Sequence, residues 1–414
     1  MTDRRFVRRS FIATAATAGL AGCARPMRNP AVPRSRVLGV TVLGLPNERF
    51  YPQQSVVPLE REAMATLARG QAFRSEAADG RTRPLNLLAV SGGGEDGAFG
   101  AGVLCGWSEQ GTRPSFDLVT GVSTGALTAP FAFLGPAYDG ALREVYTNLT
   151  VLDVLVRRWM TAAVFDDALA DNSPLLRTIT RYLTDAMLME IAKGYREGRL
   201  LLIGTTNLDA QLPVIWNIGA IADSGHPMAA TVIRRILLAS AAIPGAFAPI
   251  MFDVTVDGVN HQEMHVDGGA VAQAFLYPRS LTRERRERIR RNQPVFPVTA
   301  YVIRNARLDP QWATVDRRTL GIAGRAISTM IAASGFNDVM RIYSTAQEDG
   351  VGFNLAFIGR DFEQELTTPF EQAYMRALFA YGFERGRAGY PWAVAPPGLN
   401  EAPAEVAGEF RTGR

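Results

Sequence analysis

Apolar residues along this chain fall into two alternating kinds of run. Short, nearly continuous runs occupy 85–90, 116–120, 200–205, 214–218, 264–266, 298–303 and 353–358, and each has the length of a buried strand. Longer segments at 98–110, 125–133, 173–193, 228–242, 320–348 and 369–387 suit helices. Strands alternating with helices predict a layered α/β domain, placed here at residues 84–388. The preceding stretch, 23–83, is rich in Pro, Arg and Gln and contains one helical segment near 59–69; it reads as a tether and N-terminal extension. Residues 389–414 are rich in Pro, Ala, Gly and Glu and read as a disordered tail. Residues 139–172 carry Trp159, Met160 and Phe165, and read as core packing or as a lid or acyl pocket.

Chemistry concentrates where strands end. Residues 121–125 read Gly-Val-Ser-Thr-Gly, directly after an apolar run. A strand feeding a tight turn with Ser123 at its tip presents a hydroxyl as a nucleophile, and Gly121 and Gly125 remove Cβ atoms that would clash there. Upstream, Ser91-Gly92-Gly93-Gly94-Glu95-Asp96-Gly97 also follows a strand-like run. Its consecutive glycines let backbone N–H groups converge on a negative oxygen, aided by the positive start of the next helix. The spacing lacks the Gly-x-Gly-x-x-Gly and Gly-Lys-Ser/Thr patterns of nucleotide sites, so an oxyanion hole fits better beside Ser123. Downstream, Val266-Asp267-Gly268-Gly269 places a carboxylate at a turn. The residues themselves leave two readings of Asp267 open, a general base for Ser123 or an Asx-turn. Residues 238–249, Leu-Ala-Ser-Ala-Ala-Ile-Pro-Gly-Ala-Phe-Ala-Pro, read as packing and as a pocket wall.

These four segments, in this order, resemble the patatin-like phospholipase family across about residues 84–275, with an extension to about 385. The resemblance implies an α/β/α sandwich around a central, largely parallel sheet. It also implies a Ser–Asp dyad of Ser123 and Asp267, with Gly92, Gly93 and Gly94 forming the oxyanion hole. One position departs from the pattern. Family members commonly carry Arg or Lys where this chain has Asp96, next to Glu95. Two carboxylates facing the site would repel an anionic headgroup, whereas capping the next helix would make them favourable.

His265 lies two residues before Asp267 and would share its strand face. Parallel neighbours are poorly arranged for a triad, so a surface or packing role is expected. No histidine has a metal-site companion, and no cofactor or metal is expected.

The N-terminus combines Arg8-Arg9-Ser10-Phe11-Ile12 with a short apolar stretch ending Leu20-Ala21-Gly22-Cys23. This reads as a signal peptide over 1–22, exported by the twin-arginine or the general route. Leu-Ala-Gly-Cys resembles the bacterial lipobox, which implies lipidation of Cys23. Ala24 after it suggests the periplasmic face of the outer membrane. Lipid chains would then anchor the protein without spanning the bilayer.

The 414 residues carry a formal charge of +4. Residues 1–22 hold four Arg and one Asp, so the mature chain is near neutrality and nucleic acid is not implied. Lys193 is the sole lysine among the 44 basic residues. Cys105 is expected as a buried thiol. The charged segment 283–291 reads as a solvated helix with internal ion pairs. The chain is therefore expected to be a serine acyl hydrolase of lipid or phospholipid esters. The alternatives are a non-catalytic envelope lipoprotein that binds acyl chains, and a thioesterase or short-chain esterase using the same dyad.

Overall fold

The computed structural model describes residues 28–71, 84–154, 156–157 and 170–399. The signal segment, Cys23, and Trp159, Met160 and Phe165 lie outside the described residues. In chain order the strands are β1 (Arg49–Phe50), β2 (Leu85–Val90), β3 (Leu118–Val122), β4 (Val156–Arg157), β5 (Ala170–Asp171), β6 (Leu200–Asn207), β7 (Leu212–Asn217), β8 (Ile250–Val256), β9 (Val259–Asp267), β10 (Val298–Arg304) and β11 (Gly352–Phe357).

β4 and β5 form a small ribbon of their own, and the other nine strands form one sheet. Its centre is parallel in the order β6-β3-β2-β10-β11. β7 and β1 extend the β6 edge in antiparallel fashion, and β9 pairs antiparallel with both β6 and β8.

The central strands are apolar on both faces because both are covered. Leu88 and Val90 of β2 join Phe99, Val103 and Leu378 in one core, built with the helices Gly97–Gln110 and Gln372–Arg387. Leu87 and Ala89 join Val339, Ile342 and Ala346 in a second core, under the C-terminal half of the helix Thr319–Glu348. Each Leu, Val, Ile or Phe side chain among them taken from water stabilises the fold by about 1.5–3 kcal/mol. The result is a mixed α/β fold with a mostly parallel sheet between helical layers. The helices 97–110 and 372–387 touch backbone to backbone: a Cβ on Gly106 would lie 2.0 Å from the Phe383 carbonyl oxygen.

Several expectations are corrected. The single helix expected at 173–193 is two, Ser173–Tyr182 and Asp185–Arg196. The Thr184 hydroxyl accepts from Met187 N–H at 3.3 Å and so starts the second. The short strand at 264–266 is the end of a hairpin, β8–β9, turned by Asp257 and Gly258 with φ of 50° and 81°. Residues 28–71, within the stretch read as a tether and N-terminal extension, pack onto the domain. Val32, Val37 and Tyr51 are core residues, and buried Arg49 bonds to Glu263 and to the Val40 carbonyl. The chain is also ordered beyond 389: Ala393 exchanges backbone hydrogen bonds with Leu355, and the Trp392 ring packs at a tilt against Trp107.

Candidate active site

β3 ends at Val122, and the chain turns sharply at Ser123 before the helix Thr124–Leu134 begins. Ser123 has φ 56°, a costly conformation for a residue with a side chain, which the surroundings must enforce. The enforcement is visible in hydrogen bonds. Ser123 N–H donates to Ser240 Oγ at 3.0 Å, and Ser240 Oγ donates to the Gly204 carbonyl at 2.7 Å. Gly125 leaves no room for a side chain, since a Cβ there would lie 2.2 Å from the Val90 carbonyl oxygen. Gly121 faces the backbone of Gly125 in the same elbow.

β6 brings the carboxylate to this elbow. Its Gly204 pairs with Val122 of β3, and the next residue, Thr205, pairs with Asp267 of β9. β9 thus takes over the edge of β6 where β3 leaves it, which sets Asp267 beside Ser123. Asp267 Oδ1 accepts from Gly269 N–H at 2.7 Å, and the carboxylate accepts from the Ser123 hydroxyl. Asp267 N–H donates to the Ala242 carbonyl at 2.9 Å. Gly268 and Gly269 form the 3-10 turn that follows. Burial pushes the Asp267 carboxyl up to about 7, opposed by the hydrogen bonds from Ser123 and Gly269.

His265 is fully buried, with Nδ1 2.9 Å from Thr205 Oγ1 and its ring against Phe252 and Trp216. Burial lowers its pKa. It belongs to the core rather than to the surface.

The glycine loop lies on the other side of Ser123. Gly92 cannot serve as an oxyanion donor, because its N–H already donates to the Gln273 carbonyl at 3.0 Å. Among the described residues the N–H groups of Gly93 and Gly94 have no such partner. Gly94, with φ 57°, lines a cavity together with Ser123. The loop is gripped from behind by β10. Arg304 donates to the Gly92 carbonyl at 3.1 Å and to Ser91 Oγ at 3.2 Å. Asn305 donates to the Ser91 carbonyl at 2.9 Å and accepts from Gly100 N–H at 3.0 Å. Gln273 ties the two loops by donating to the Gly269 carbonyl at 2.9 Å.

Ser240, Gln273, Arg304 and Asn305 escaped the sequence reading. A signal existed for the last two: a polar pair closes an apolar parallel strand at its C-terminal end, where α/β sites form. Ser240 and Gln273 had none.

Glu95 and Asp96 neither cap the following helix nor head into the cavity. Asp96 accepts from the Tyr374 hydroxyl at 2.6 Å, and Glu95 accepts from Phe370 N–H at 3.0 Å. Burial raises Asp96 to about 6, against the lowering effect of Tyr374. The anchored segment contributes Phe370 and Met375 to the cavity. The opposite wall comes from Leu127 and from Val145, Leu149 and Val154 of the insertion. An apolar chamber therefore opens directly on the Ser123 hydroxyl.

Among the described residues no group of three or more His, Cys, Asp or Glu is placed to hold a metal, and Cys105 is buried. Among the described residues no helix is long and apolar enough to cross a membrane.

A strained serine at a strand-to-helix elbow, on a parallel sheet between helical layers, defines an α/β protein built like a hydrolase. Residues 88–277 match the model of the family described as Patatin-like phospholipase, and over that stretch the chain carries a patatin-like phospholipase domain. Among solved structures, the crystal structure of VipD from Legionella pneumophila aligns with 76% of this chain and 69% of that one, at 13% identity and a TM-score of 0.34. No curated protein matches the chain.

Proposed function

We propose that this protein cleaves fatty-acyl esters of lipids or phospholipids through a Ser123–Asp267 dyad. The observation that carries the proposal is the buried carboxylate hydrogen-bonded to a strained serine at the mouth of an apolar chamber. Asp267 takes the hydroxyl proton as Ser123 Oγ attacks the ester carbonyl. The tetrahedral oxyanion is held by the N–H groups of Gly93 and Gly94. As the carbonyl re-forms, the alcohol leaves with the proton from Asp267, and the acyl group stays on Ser123. Water then gives its proton to Asp267 and attacks the acyl-enzyme, and the fatty acid departs as the proton returns to Ser123. A carboxyl near 7 is a stronger base than an ordinary aspartate and is still largely ionised slightly above neutrality. The acyl chain lies along Leu127, Val145 and Phe370.

The same proposal places the mature protein on the periplasmic face of an outer membrane, held by acyl chains on Cys23. The test is labelling with a fluorophosphonate, followed by mapping of the adduct. Label on Ser123 that is absent from Asp267→Asn supports the dyad. A folded protein that takes no label, with or without detergent micelles, refutes it.

A further inference from the structure

The helix Thr319–Glu348 has two unlike halves. From Asp338 onward it is built into the second core. Residues 321–333 are exposed on every side except at half-buried Arg325, yet their sequence is Gly-Ile-Ala-Gly-Arg-Ala-Ile-Ser-Thr-Met-Ile-Ala-Ala. Ile322 is 53%, Ile327 52% and Met330 67% exposed, and Trp312 in the preceding loop is 89% exposed. Ala323, Ile327, Met330 and Ile331 follow the spacing of a single helical stripe. A contiguous apolar surface of this kind marks a contact with something other than water.

Two further observations identify that contact. The first is charge. Residues 311–337 carry Arg317, Arg318 and Arg325 against Asp316 alone, and none of these three cations makes an ion pair among the described residues. Apolar side chains with a cationic rim suit a helix lying in the headgroup region of an anionic bilayer. A second copy of the chain, meeting this face about a two-fold axis, would bring the same excess cations together. The second is position. Gly335 packs against the Arg304 guanidinium, and Asp338 accepts from Gln273 N–H at 2.6 Å. Arg304 and Gln273 are the residues that hold Gly92. The exposed half of the helix therefore springs from the foot of the glycine loop.

We infer that residues 312–331 form an interfacial docking element that seats the mouth of the active site on an anionic phospholipid surface. This rests on the lipid-hydrolase reading, and it adds a contact separate from any anchor on Cys23. The element lies on the bilayer, since among the described residues no helix is long and apolar enough to cross one.

The test uses the full chain carrying Cys23→Ser, so that no acyl anchor contributes. It is sedimented with vesicles of phosphatidylcholine alone and of phosphatidylcholine mixed with phosphatidylglycerol. Expected is preferential, salt-sensitive binding to the anionic vesicles. Ile327→Asp with Met330→Asp should weaken it by at least about tenfold, because two buried apolar contacts are replaced by anions. Arg317→Glu with Arg318→Glu should remove the preference for anionic vesicles. Fluorophosphonate labelling of Ser123 and turnover of a short, soluble ester should stay unchanged in both variants. Equal binding by parent and variants overturns the inference, as does absence of binding in the parent. A parent that sediments as a dimer dissociated by the Ile327/Met330 pair also overturns it, since the face then joins two copies. Vesicle binding with no label on Ser123 would instead count against the hydrolase reading and leave the docking element standing.

Discussion

Two aspartates flank the proposed nucleophile Ser123, Asp267 buried and Asp96 half-buried, and desolvation raises both. Asp267 rises to about 7 and Asp96 to about 6. Burial alone thus does not separate the base from the bystander; their partners do. Asp267 bonds to the Ser123 hydroxyl, whose proton can be removed as chemistry proceeds. Asp96 bonds to the Tyr374 phenol, whose own pKa is raised and whose proton stays in place. On the proposed mechanism the first loop transfers the proton, while the second fixes the C-terminal segment that walls the apolar cavity.

The comparison breaks most visibly in turnover. Ser123→Ala and Asp267→Asn should each lower kcat/KM by at least about 10³-fold while far-UV circular dichroism is retained. Asp96→Asn should stay within about tenfold, since it touches no reacting atom. Loss of more than that in Asp96→Asn would mean that the two carboxyls share the chemistry.

Stability should separate the variants in the opposite sense. A carboxyl whose pKa is raised by folding stabilises the native state fully below its unfolded value near 3.9, and that contribution disappears as pH rises through about 7. Asp267→Asn should therefore be more stable than the parent at pH 8, by at most about 4 kcal/mol, and little different at pH 4. Denaturant unfolding at both values checks this.

The pH profile sharpens the assignment further. On the proposed mechanism Asp267 acts when ionised, so kcat/KM should rise with pH to a plateau, with its midpoint near 7. Asp96→Asn should leave that midpoint in place. The smallest effect is expected from Tyr374→Phe, which removes a hydrogen bond to Asp96 and should cost about 1–3 kcal/mol of stability with the acid limb unmoved.

Much of the site was legible because its parts are local. Gly-Val-Ser-Thr-Gly after an apolar run specifies an elbow by chain geometry, and Asp267 ends the strand that supplies it. The sheet was legible for the same reason: Leu85–Val90 and its parallel neighbours are apolar runs buried on both faces. What stayed hidden depends on distant partners. Gly92 resembled its neighbours until the Gln273 carbonyl occupied its N–H. Glu95 and Asp96 looked like intruders in an anion site until Phe370 and Tyr374 met them from 275 and 278 residues away. Arg49 sat in a stretch read as a tether and N-terminal extension, and its partner Glu263 lies 214 residues on. By contrast the break before Asp185 could have been read locally, since Thr184 is a helix-starting residue.

The ladder on β6 makes the spacing of the dyad a property of backbone rather than of side chains. Gly204 and Thr205 are one peptide bond apart, so the reach from serine to carboxylate is set by covalent length. Side chains along β6 can therefore drift in evolution without moving the pair. A single-residue insertion or deletion between 200 and 207 has no such latitude, because it shifts one partner by a rung and turns it to the opposite face. In a library of indels, active variants should therefore be absent from this strand.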